Sequence, residues 1–99
     1  MTMWIGWIEF DVLLGDVHSL KGKRAVIRPI MAELRRTTEA SVAEVGEQDL
    51  HRRTVIGLGV VASAPGRVAE TLDRAERLVA DRPEVTLLSA RRRLHRSDD

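Results

Sequence analysis

Ser19-Leu20-Lys21-Gly22-Lys23-Arg24, and later Ser41-Val42-Ala43-Glu44-Val45, mark the two ends of one β-helix-β unit. The first segment sits where an alternating stretch hands over to a helix. The second sits where that helix hands over to the next strand. Upstream, Met3 to Leu14 alternates: Trp4, Gly6, Ile8, Phe10, Val12 and Leu14 point one way. A period of two over this length reads as a strand, with that set as its core face. The opposite set is Met3, Ile5, Trp7, Glu9, Asp11 and Leu13. It is not the clean polar face of a solvated antiparallel sheet, because Met3, Ile5 and Trp7 make one end apolar.

Gly15-Asp16 reads as a turn, and Lys23 to Thr38 as a helix whose stripe is Val26, Ile27, Ile30, Met31 and Leu34. Pro29 conflicts with that, since an interior proline loses a backbone bond and costs about 3 kcal/mol. The expectation is a helix from about Lys23, distorted near Ala25. Glu39 to Gly46 reads as a short strand, Arg52 to Ser63 as a long one, and Val85 to about Leu94 as the last. Pro65 to Asp81 is the second helix, with Val68, Leu72, Ala75 and Val79 as its stripe and Pro83 as its stop. The order β-α-β-β-α-β predicts an α+β, ferredoxin-like sandwich. Its four-stranded antiparallel sheet carries both helices on one face, with the first and third strands central. Residues 1–99 are expected to form a single ferredoxin-like domain.

Composition narrows the function classes. A chain of 99 residues buries roughly two thirds of its unfolded surface, enough for one core. There is no cysteine, which excludes disulfides and thiolate metal sites. No apolar run is long enough for a membrane span, and the N-terminal residues do not read as a signal peptide, so a cytoplasmic protein is expected. Net charge is +1, unevenly placed: −2 over residues 1–50 and +3 over 51–99. Arginine outnumbers lysine 14 to 2. Guanidinium suits phosphate, but the imbalance is too mild to announce a nucleic-acid binder.

The chain resembles the YlxP-like family, small bacterial proteins without an assigned function. The resemblance is carried by Ser19-Leu20-Lys21, Lys23-Arg24, Ser41-Val42-Ala43-Glu44-Val45, Gln48-Asp49-Leu50 followed by Arg53, and Ile56-Gly57. It implies a ferredoxin-like fold. It also implies genes placed beside those of translation initiation and ribosome maturation, hence an association with RNA or the ribosome. The chain departs from the pattern at His51, where an aromatic is usual, and at Glu39-Ala40, where an aromatic-Asn pair is usual.

No catalytic constellation is legible. His18, His51 and His95 stand apart from one another, without metal-ligand spacing. No cofactor or metal site is expected. Glu9 and Asp11 share a strand face and read as a solvated strand end. Glu44 and Asp49 flank the central hairpin and are expected to fix it, meeting Arg53 or Lys23.

Two binding modes remain. Lys21, Lys23, Arg24 and Arg28 crowd the start of the first helix, and Arg91, Arg92 and Arg93 lie in the last strand. These are the candidate phosphate- or RNA-binding residues, because backbone N–H groups at a helix start favour anions. Stacking of bases on the sheet is disfavoured, since Trp7 has only Val55, Gly57, Gly59 and Val61 across from it. The second mode is self-association through the open sheet face, with Met3, Ile5, Trp7, Val55 and Val61 as candidate interface residues. Against it stands an arrangement in which Trp7 lies flat over Gly57 and Gly59 and covers the patch within one chain. The function expected is non-catalytic binding, associated with RNA or the ribosome. The alternative is a self-associating scaffold or regulator that meets only protein. No membrane partner is expected.

Overall fold

The computed structural model describes residues 2–99; Met1, which the expected domain included, lies outside the described residues. The elements are β1 (Trp4–Leu14), α1 (Leu20–Thr38), β2 (Ser41–Gly46), β3 (Arg53–Ala62), α2 (Pro65–Ala80) and β4 (Val85–Arg96). The sheet order is β2-β3-β1-β4, antiparallel throughout, so β1 and β3 are central as their length and apolarity predict. This is the ferredoxin-like βαββαβ sandwich. Both helices bury their stripes against one side of the sheet. Ile8, Phe10, Val12 and Leu14 of β1 meet Ile56 and Leu58 of β3, Ile27, Ile30 and Leu34 of α1, and Val68, Leu72 and Val79 of α2 in a single core. Gly6 lets α2 approach closely. A Cβ added there would stand 2.2 Å from Val68 Cγ1, which no real contact tolerates.

The first helix starts earlier than expected and is not interrupted. Ser19, in extended backbone, caps it by accepting a hydrogen bond from the Gly22 N–H at 2.9 Å. Pro29 lies inside this helix, and it and Ala25, whose carbonyl it leaves without an intrahelical donor, are both on the exposed side. At the other end Glu39 adopts the left-handed conformation (φ 57°) as the C-cap. That turns the chain before β2, which therefore begins at Ser41 rather than Glu39.

Two bulges shape the sheet. Val45 is the extra residue of β2 opposite β3, and Leu88 that of β4 opposite β1. The first tips Val45 over Gly57 on the face without helices. No helix among the described residues is long and apolar enough to cross a membrane.

Candidate functional site

At the start of α1 the cluster of four cations divides. Lys23 falls on the same stripe as Ile27, Ile30 and Leu34, and the fold carries it inside, where its side chain is 2% exposed. Its Nζ lies 2.9 Å from Glu44 Oε2 and donates to the carbonyls of Glu47 at 2.7 Å and Gln48 at 3.3 Å. Thr54 donates its hydroxyl to the same Glu44 oxygen at 2.7 Å. The Gln48 side-chain amide donates to the Glu44 carbonyl at 3.1 Å. An ammonium with an anion and two carbonyls around it is a satisfied buried charge. Lys23 is thus a clamp between α1 and the β2–β3 hairpin, not a phosphate ligand. Glu44 fixes the hairpin through Lys23, one of the two partners expected for it.

Lys21, Arg24 and Arg28 stay outside, as expected. They are three and four residues apart on one flank of the helix. None of the three has an ion pair among the described residues, and the first turn of α1 contains no acid. Arg35, two turns beyond Arg28, lies on the same flank and donates to the Val42 carbonyl at 2.7 Å. That contact places the basic flank beside the exposed edge of β2.

The three arginines of β4 are also not one group, because successive strand residues point to opposite sides. Arg92 turns to the helix side and donates to Asp73 Oδ1 at 2.8 Å and Glu76 Oε1 at 3.0 Å on α2. Burial lowers its affinity for a proton, but the hydrogen bonds and charges of Asp73 and Glu76 outweigh that and hold its pKa above the ordinary value. It ties β4 to α2, on the side of the sheet away from Arg91 and Arg93. Arg91 turns to the open side, pairs with Glu9 at 2.5 Å and sits over the Trp7 ring, 5.6 Å from its centroid. Arg93 shares that side, opposite Trp7, without an ion pair among the described residues.

The open face is therefore organised in rows. Ile5 pairs with Val61 and His95, Trp7 with Gly59 and Arg93, and Glu9 with Gly57 and Arg91. Asp11 binds the Arg53 guanidinium through both carboxylate oxygens, each at 2.8 Å. Glu9 and Asp11 therefore each take an arginine rather than standing as a bare solvated pair. Met3 and Val61 are 46% and 59% exposed, and Ile5, Trp7 and Val55 are half-buried. Trp7 does not lie over the glycines. A Cβ at Gly59 would meet nothing within 4 Å, and one at Gly57 would meet Val45 first. The result is an apolar trough along β3, with Trp7 as one wall and Gly59 as bare floor. Glu39 and Ala40 line one end of it, and Val45 stands at the other.

No group of three histidine or carboxylate side chains placed to hold a metal occurs among the described residues. His18 lies beside Asp16 at 2.7 Å, almost fully exposed.

Residues 5–92 match the family described as protein of unknown function (DUF503). The chain belongs to this family. Within the family's reach, it is 32% identical over 81 residues to the uncharacterized protein YlxP of Bacillus subtilis (strain 168), covering 82% of this chain and 88% of that one. In three dimensions it is similar to a mutant of SnoaB, a cofactor-independent oxygenase from Streptomyces nogalater. The TM-score is 0.45 and the identity 13%, over 93% of this chain and 90% of that one. A likeness that loose says nothing of activity in this member of the DUF503 family.

Sequence reasoning missed the inward turn of Lys23 and Arg92, though both signals were present. Lys23 lies four residues before Ile27 and seven before Ile30. Arg92 lies between Arg91 and Arg93 in a strand. The ion pairs of Glu9 and Asp11 had no such signal, because they depend on the register of β1 against β4 and β3.

Proposed function

We propose that this is a non-catalytic binding protein that associates with RNA, ribosomal RNA included, through the basic flank of α1. A cytoplasmic place of action goes with that reading. The observation that carries it is the exposed set Lys21, Arg24 and Arg28, on one helix flank without an acidic partner among the described residues. The flank spans about 10 Å from Lys21 to Arg28 at the helical rise, the reach of a short length of nucleic-acid backbone rather than of one small anion. Stacking on the sheet is a poorer reading, because the two central strands give the open face Trp7 alone as an aromatic and Arg91 already packs on it.

The test is the triple variant Lys21→Glu, Arg24→Glu, Arg28→Glu, assayed against ribosomal RNA at several salt concentrations. Each lost phosphate contact lowers the slope of log affinity on log salt by roughly 0.7 to 0.9, so a loss of about two to three is expected. Its far-ultraviolet dichroism should match the wild type, because all three side chains are exposed. Unchanged affinity and slope would contradict the proposal.

A further inference from the structure

The open face is complementary to itself, and we infer that it forms a face-to-face homodimer in which Trp7 of each copy fills the hollow over Gly59 of the other. The argument starts from register. Trp7 on β1 is directly opposite Gly59 on β3, and Ile5 directly opposite Val61. β1 and β3 are the two central strands. A two-fold axis running along the strands, above the line between β1 and β3, lays each β1 over the partner's β3 without shifting the rows. Trp7 then stands over the Cβ-less floor at Gly59, and Ile5 over Val61. Stacked sheets lie about 10 Å apart, so an indole needs such a gap opposite it. A knob and a hole on the same surface are what an isologous contact requires.

The margins agree with the centre. The same rotation lays β4 over the partner's β2 side. Arg93, in the row of Trp7, comes over Ser41 with Glu39 close by in the sequence. Arg93 and Glu39 are both exposed, opposite in charge and without ion pairs among the described residues. The other charges of the face, Glu9 with Arg91 and Asp11 with Arg53, are already neutralised within each chain. They bring no unpaired charge to the boundary. Strands of 11, 6, 10 and 12 residues, about 4.8 Å apart, give a face on the order of 600 Å² in projection. That approaches the roughly 800 Å² per partner of a standard stable interface.

The test is sedimentation equilibrium from low micromolar to near-millimolar concentration. Wild type should pass from one copy to two. A Cβ at Gly59 meets nothing in the monomer, so Gly59→Val should fold while filling the hollow, and it should weaken association about a hundredfold, the scale of losing a buried aromatic anchor. Trp7→Glu should do the same. Arg93→Glu should weaken association, and Arg93→Glu with Glu39→Arg should restore it. Near-ultraviolet dichroism and thermal unfolding of each variant confirm that it is folded. A wild type that stays single throughout, a folded Gly59→Val that associates like the wild type, or a charge swap that restores nothing would each overturn the inference. The triple variant of α1 should dimerise normally, so the RNA reading and this one fail separately.

Discussion

The two sides of this one sheet are built from alternate residues of the same strands, yet one is finished and the other is not. On the helix side the buried polar residues Lys23, Thr38 and Thr54 each have a partner. Lys23 meets Glu44 and two carbonyls, Thr54 meets Glu44, and Thr38 donates to the Leu34 carbonyl. On the open side Met3 and Val61 stand in solvent beside a floor with no side chain. The contrast separates residues that hold the fold from residues free to bind something else. It also separates cations of the same type. Lys23 and Arg92 belong to the fold, whereas Lys21, Arg24, Arg28 and Arg93 do not.

Changes on the helix side should be the costly ones. Lys23→Ala leaves the Glu44 carboxylate and two carbonyls without their shared partner, and we expect a loss of about 3–5 kcal/mol in urea unfolding. Lys21→Ala, two residues away and exposed, should stay within about 0.5 kcal/mol. Similar losses for the two would erase the distinction between inward and outward cations. Phe10→Ala removes the largest fully buried side chain and should also cost about 3–5 kcal/mol, out of roughly 5–15 for a domain of this kind. A loss below about 1 kcal/mol would mean that the core does not centre there.

A smaller effect is expected where the helix side meets solvent. Arg92 is 35% exposed, so Arg92→Ala should cost only about 1 kcal/mol or less despite its two acidic partners. That substitution should leave RNA affinity at any salt concentration unchanged, because the side chain already belongs to α2. A fall in affinity equal to that of Arg24→Ala would return Arg92 to the binding surface.

Much of the fold was legible in the sequence, and the reason is periodicity. Alternation in β1 and the stripes of both helices name the core residues by face, and the element order then leaves one sheet topology. The start of α1 reads as Lys23 rather than Leu20, because Pro29 draws the reading away from the Ser19 cap that fixes the first turn. The candidate site was legible in composition but not in grouping. Lys21 to Arg28 read as one basic cluster until the helical stripe drew Lys23 inside. The hollow over Gly59 was out of reach for another reason. Whether Trp7 lies over the glycines or beside them depends on its rotamer and on Arg91 packing against it, and no sequence pattern sets either.

The most direct test of this division is one paired measurement on two glycines of the same sheet, Gly6→Ala and Gly59→Ala, by urea unfolding at a concentration dilute enough to keep every protein single. At Gly6 the new methyl collides with Val68 of α2, and we expect a loss of about 1–3 kcal/mol. At Gly59 it meets nothing, and stability should stay within about 0.5 kcal/mol of the wild type. Equal losses at the two positions would contradict the account, since both sides of the sheet would then be packed alike.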